Sequence, residues 1–206
     1  MRASVGSLQH HNPGAKVIFF DLEVSGANSS NVSKLCDVEV RKFPFKEYPD
    51  YVQKLSEYRW KPLIIASLLE EYETVWWFDT SVEWTSADFH ATRNLALNFP
   101  YVVLPTRTSH SVYAATDKRM YVYLPISVSL SQTHGVFQAG FAFFYYKAKE
   151  ALKWLVLCAL EMECMNPTGS NRVCDFQKQP HVRYAGCHRH ELYTSPGLTF
   201  YRVFYP

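Results

Sequence analysis

The stretch Tyr72-Glu73-Thr74-Val75-Trp76-Trp77-Phe78-Asp79-Thr80-Ser81 constrains the fold of this chain more than any other. An apolar, aromatic run ends abruptly at one acidic residue, and two small hydroxyl residues follow. The run has the length and the β-branched and aromatic content of a buried strand. A strand there sets Asp79 at the carboxyl edge of a sheet, and in open α/β sheets ligands bind outside the carboxyl ends of the strands. A carboxylate so placed can hold a divalent metal or a sugar hydroxyl. The alternative is that Asp79 does no more than start the next turn, a common place for aspartate.

Strands and helices alternate around this run. Lys16–Leu22 reads as a buried strand that also meets an acid, Asp21, and Ser25–Ser33 as a polar loop. Val38–Phe45 alternates apolar and charged residues, as a strand with one exposed face does. Tyr51–Tyr58 reads as a short helix. Arg59-Trp60-Lys61-Pro62 opens a longer one through Glu71, with Pro62 in the first turn, where a missing N–H costs nothing. Ser86–Asn98 has helical spacing with Ser86 as its N-cap. Tyr101–Leu104 is a short strand stopped by Pro105, and Val136–Tyr146 an aromatic strand pair or ribbon containing Gly140. Lys147–Glu163 carries the clearest apolar helical face, and Asn166-Pro167-Thr168-Gly169 ends it. This order predicts a single α/β domain over residues 16–189, a mostly parallel sheet flanked by helices. In it Lys16–Leu22, Thr74–Asp79 and Tyr101–Leu104 share one sheet. Residues 1–15 are expected to be disordered and 190–206 to form an irregular tail.

The chain has 206 residues, 48% hydrophobic and 19% charged, which excludes a disordered chain. Aromatic residues reach 16%, a content that suits a sheet-rich core and also a groove that stacks on sugar rings. The net charge of +2 is spread along the chain, so no basic patch points to nucleic acid. The first fifteen residues contain no apolar signal region. The longest apolar candidate, Leu152–Leu160, is too short to span a bilayer and carries Lys153, so no membrane segment is expected.

Cys158, Cys164, Cys174 and Cys187 crowd the last quarter of the chain without a C-x-x-C pair, which does not fit a zinc site. They suit one or two disulfides in an oxidising compartment. The fifth, Cys36, makes the count odd, so at least one cysteine stays outside any intrachain set. Asn28 and Asn31 head glycosylation sequons in a polar loop and, with the cysteines, lean towards a lumenal origin.

No P-loop, dinucleotide glycine loop, nucleophile elbow or H-E-x-x-H occurs, which argues against the common nucleotidases, dehydrogenases, serine hydrolases and zinc proteases. The candidates that remain are strand-end acids and histidines. His110 lies in Thr108-Ser109-His110-Ser111-Val112-Tyr113-Ala114-Ala115-Thr116, read as a polar loop whose hydroxyls suit a polyol. His188 and Arg189, late in the chain, could complete a metal site begun by Asp79 or contact a diphosphate. An exposed loop histidine is the plainer alternative for His110.

Several phrases occur together in a known order. They are Lys16–Leu22, Val40-Arg41-Lys42-Phe43-Pro44-Phe45 with Tyr48-Pro49, Tyr58-Arg59-Trp60-Lys61-Pro62-Leu63-Ile64-Ile65-Ala66, Trp76-Trp77-Phe78-Asp79-Thr80-Ser81-Val82-Glu83-Trp84, His110-Ser111, Met120-Tyr121-Val122-Tyr123-Leu124-Pro125, and Leu157-Cys158-Ala159-Leu160-Glu161 ahead of Cys164 and Pro167. Over roughly residues 16–190 the chain resembles a family of animal glycosyltransferase-like proteins, distant relatives of the glycogenin-type GT-A enzymes. The resemblance implies a GT-A-like nucleotide-diphospho-sugar transferase fold, a nucleotide-sugar donor, an unknown acceptor, and a Golgi or ER lumen setting. It implies a strand-end Asp-x-Asp motif that binds Mn²⁺ or Mg²⁺ against the leaving diphosphate. Asp79 matches the first acid, Ser81 stands at the second, and His188 matches a late histidine that reaches the metal. Asp79 and His110 are then the catalytic candidates, and Ser81, Trp60, Lys61 and Arg189 the substrate-binding ones. The resemblance also implies a base-binding strand ahead of Lys16, so the domain is expected to be incomplete at both ends, and after Arg189 the family phrase is lost. A non-catalytic nucleotide- or sugar-binding relative, or a lumenal interaction protein, is the competing expectation.

Overall fold

The computed structural model describes residues 2–23, 32–86, 94, 102–103, 107–123, 126–176 and 181–189. The glycosylation candidates Asn28 and Asn31, most of the expected 86–98 helix and the 190–206 tail lie outside them.

The segment expected to be disordered begins with a helix, α1, over Arg2–His11. Its Val5 and Leu8, one turn apart, are buried with Val17 and Trp84, and the Trp84 N–H donates to Ser7 Oγ at 2.9 Å. The partner that orders this helix sits 77 residues further on, where local reading cannot find it.

Strands β1 (Val17–Asp21) and β2 (Val38–Lys42) pair in parallel, Val17 opposite Val38 and Asp21 opposite Lys42. Single-residue alternation aims Val17 at α1, and Ile18 and Phe20 at the main core. The expected helix over Tyr51–Tyr58 breaks into two 3₁₀ turns, Asp50–Gln53 and Leu55–Glu57. Tyr58 then adopts a left-handed φ of 56° that redirects the chain into α2, Trp60–Glu71. Lys61, Pro62, Leu63, Ile64, Ile65, Leu68 and Leu69 of α2 are all buried.

The sheet around Asp79 departs from expectation. Strand β3 (Thr74–Phe78) does not share a largely parallel sheet with β1. It pairs antiparallel with β7 (Phe141–Tyr145), and β7 pairs antiparallel with β4 (Val102–Val103), in the order β3-β7-β4. The cause is the apolarity of β7 on both faces. Ala142 and Phe144 enter the main core, while Phe143 and Tyr145 pack towards Trp76, so β7 is buried only at a central position. Among the described strands only β1 and β2 pair in parallel, and the fold is a mixed α/β one. The expected Val136–Tyr146 ribbon divides accordingly. Its first part, β6 (Gly135–Phe137), pairs antiparallel with β5 (Arg107–Ser111) beside the short helix α3, Val128–Thr133.

Helix α4 (Lys149–Leu160) packs on α2 and ends earlier than expected, followed by α5, Met162–Met165. Arg59, fully buried, closes this end. Its guanidinium donates to the carbonyls of Ala159 and Glu161 at 3.0 Å and of Met162 at 2.7 Å, and to Glu57 Oε2 at 2.6 Å. The Ala159 carbonyl is one that the C-terminus of α4 leaves without an intrahelical partner, and those of Glu161 and Met162 lie in the link to α5 and its first residue. Disulfides join Cys158 to Cys164 and Cys174 to Cys187, and Cys36 is free and exposed.

A groove separates β1 from β3. Its near end is lined by Ala15, Lys16, Val17 and Ile18 with Thr74 and Val75, and its far end by Phe20, Asp21 and Leu22 with Phe78, Asp79 and Thr80. Among the described residues no strand pairs with both β1 and β3. No helix among the described residues is long and apolar enough to cross a membrane.

Candidate functional site

Asp79 follows directly on β3, at the carboxyl edge, as expected. Its N–H donates to the Gly140 carbonyl at 2.8 Å, which extends the β3–β7 ladder by one rung. A Cβ at Gly140 would lie 3.1 Å from Asp79 Oδ2, a contact that the aspartate side chain would have to yield to by a few tenths of an ångström.

Lys61 reaches Asp79 from the first turn of α2, its Nζ 3.2 Å from Oδ1 and 3.5 Å from Oδ2. The lysine side chain is 3% exposed and the aspartate 37%. Around the ammonium stand the rings of Tyr58, Trp60 and Trp77, with centroids at 4.8, 5.8 and 5.9 Å, an arrangement in which ring quadrupoles share in holding a cation away from water. Trp60 donates its indole N–H to the Leu55 carbonyl at 3.2 Å, which fixes its plane.

Asp79 and Ser81 belong to two adjoining hollows. One is the far end of the β1–β3 groove, walled by Tyr58, Trp60, Lys61 and Trp77. The other, of about 390 Å³, is lined by Asp79, Ser81, Thr108, His110, Gln138, Gly140 and Arg189 among others. Six of the residues expected from sequence line these two hollows, Trp60 and Lys61 the first, His110 and Arg189 the second, and Asp79 and Ser81 both.

His110 reaches it from β5, not from a loop; the polar stretch is strand up to Ser111 and turn after it. Two of its hydroxyls serve the fold. Ser111 Oγ donates to the His181 carbonyl at 2.6 Å and accepts from the Ala114 N–H, and Thr108 Oγ1 donates to the Val136 carbonyl at 3.0 Å. The His110 ring stacks on Phe176, 4.2 Å between centroids and 8° from parallel. Burial pushes its pKa below the ordinary 6.5, opposed by the Ser111 carbonyl and reinforced by the charges of Arg189 and His181. The imidazole is neutral at pH 7, able to accept a proton or to donate one hydrogen bond.

His188 is a correction. Its ring is 1% exposed, with Nδ1 facing the Asp117 N–H at 3.3 Å and Nε2 facing the Met165 carbonyl at 3.1 Å. Both nitrogens are engaged with main chain, beside the Cys174–Cys187 bridge, and His188 lines neither hollow. Its place next to Arg189 in sequence suggested a ligand; alternation of direction puts Arg189 into the cavity and His188 into the interior. The residues expected for Mn²⁺ or Mg²⁺ therefore supply one carboxylate already paired with Lys61, one serine hydroxyl and no imidazole. Hard cations take several oxygen ligands, and among the described residues no group of three or more His, Cys, Asp and Glu could hold a metal ion. These residues do not fit the metal.

Tyr58, Trp77, Gly140 and Gln138 belong to the site without having been singled out for it. The signal for one of them was present, since Tyr58 opens the Tyr58-Arg59-Trp60-Lys61-Pro62 phrase.

Residues 1–66 match a family described as a protein of unknown function, DUF1647. That match takes in Trp60 and Lys61 and stops short of Asp79. No curated protein and no solved structure matches the chain. The two disulfides suggest an extracellular or lumenal protein.

Proposed function

We propose that the chain is a glycosyltransferase-like protein of the Golgi or ER lumen whose Asp79 cavity binds a nucleotide sugar. The observation that carries the reading is the convergence of Asp79, Ser81, His110 and Arg189 on one hollow at the carboxyl end of β3, with Trp60 and Lys61 on its adjoining wall. The parts suit such a ligand. An exposed carboxylate accepts sugar hydroxyls, tryptophan and tyrosine faces stack on sugar rings, and Arg189 offers a guanidinium for phosphate.

Binding without transfer is favoured over catalysis by one observation, the ion pair that already occupies the Asp79 carboxylate. Calorimetric titration with UDP and a panel of UDP-sugars tests the binding reading, which fails if no titrant gives heat. Donor hydrolysis with the same panel separates the two versions. Turnover that disappears in Asp79→Ala would establish a transferase; binding without turnover is the expected result.

A further inference from the structure

The Lys61–Asp79 pair carries more than a binding wall. A lysine on the first turn of a helix is normally solvated, and this one is 3% exposed with its ammonium between the two carboxylate oxygens and three aromatic rings. A buried charge is kept only where it is paired. Its partner, Asp79, is the carboxylate that the resemblance makes a metal ligand. Gly140 borders the carboxylate on another side, where a Cβ would come within 3.1 Å of Asp79 Oδ2. The carboxylate is thus paired with a positive neighbour and open to solvent over 37% of its side chain.

We propose that the Lys61 ammonium takes the place of a divalent cation beside Asp79, so that Asp79 serves as a metal-free acceptor for the hydroxyls of a sugar ring. A cation brought to Asp79 would meet a positive charge within ordinary ligand distances and would have to displace it. A neutral polyol meets neither cost. Its hydroxyls donate to carboxylate oxygens in charge-assisted bonds, and its apolar face lies against Trp60 and Tyr58 at the mouth of the groove. The inference rests on the sugar-binding reading above but makes a separate statement about the metal.

The test has two independent arms. In the first, Mn²⁺ is titrated into the protein and followed by electron paramagnetic resonance, where free and bound ions differ. Wild type is expected to leave Mn²⁺ free. Lys61→Gln, which removes the competing charge, is expected to bind it, and Lys61→Gln with Asp79→Asn is expected to lose that binding. In the second arm, calorimetry compares UDP-glucose affinity in EDTA and in Mn²⁺. Equal affinities are expected, with a loss of about tenfold or more in Asp79→Asn under both conditions. Because Lys61 is buried, Lys61→Arg and circular dichroism melts accompany Lys61→Gln, and Asp79→Asn, on a partly exposed residue, stands independently of it. Stoichiometric Mn²⁺ binding by wild type that vanishes in Asp79→Asn, or an affinity that EDTA abolishes, overturns the inference and leaves the sugar-binding reading in place. Absence of sugar-nucleotide binding under every condition overturns both.

Discussion

Arg59 and Lys61 stand two residues apart at the head of α2, both cations almost wholly buried, and they lead opposite lives. Arg59 pairs with Glu57, whose side chain is 8% exposed, and spends its remaining donors on the carbonyls that end α4. Asn166 donates to the other oxygen of Glu57 at 2.8 Å, so that carboxylate has no face left for a ligand. Lys61 pairs with Asp79, which opens on two hollows. A buried charge thus does not by itself mark a site. What separates a structural clasp from a receptive one is whether the partner keeps unused acceptor capacity facing solvent.

Interchangeable cations would refute this difference. Arg59→Ala is expected to have the largest effect, a loss of about 3–5 kcal/mol in denaturant unfolding, because it leaves the Glu57 carboxylate buried without its main partner and uncaps α4. Should Arg59→Ala melt no lower than Lys61→Ala, the division into clasp and site is wrong. Opening Cys174–Cys187 through paired serine substitutions comes next. Its 13-residue separation corresponds to about 2–3 kcal/mol of chain entropy, and because Arg189 lies two residues beyond Cys187, ligand affinity should fall together with stability.

Gly140→Ala sharpens the comparison from the site side. The new methyl presses on Asp79 Oδ2, a side chain with room to move, so the stability cost should stay near ~1 kcal/mol while sugar-nucleotide affinity drops several-fold. A large loss of stability with unchanged affinity would show Asp79 to be structural after all. The smallest effect concerns pH. The folded pKa of His110 is depressed by burial, so below about pH 6.5 the unfolded chain takes up a proton that the folded one resists. Its contribution is complete above the ordinary histidine value and lost as pH falls through the depressed one. Melting temperatures should decline less steeply over that window in His110→Gln than in wild type.

What was legible in the sequence follows the range of the interactions. β1, β2, α2, β3 and α4 came from periodicities that a few neighbouring residues generate, and each lies within a few residues of its expected place. The placement of Asp79 at a strand end followed from the same local pattern. Pairing did not, because it depends on which strand is apolar on both faces and so takes the centre. Phe141–Tyr145 won that position over the expected parallel neighbours. α1 was missed because its apolar stripe, Val5 and Leu8, makes sense only once Trp84 arrives. His188 was misread for a related reason. A histidine beside an arginine looks like chemistry until the carbonyl of Met165 and the N–H of Asp117 are seen to face its two nitrogens.

The groove between β1 and β3 has a consequence in the time domain. The Val17 N–H donates to the Asp37 carbonyl at 3.0 Å, and the Asp79 N–H to that of Gly140 at 2.8 Å. Since successive amides of a strand point to opposite sides, those of Phe19, Val75 and Trp77 turn towards β2 or β7, and those of Ile18, Phe20 and Phe78 turn into the groove. Deuterium uptake resolved by residue should then alternate along both strands, fast and slow amides taking turns within single hydrogen-bonded segments. An extended chain seated in the groove would slow the fast set alone and erase the alternation, turning two exchange profiles into a clock for its arrival.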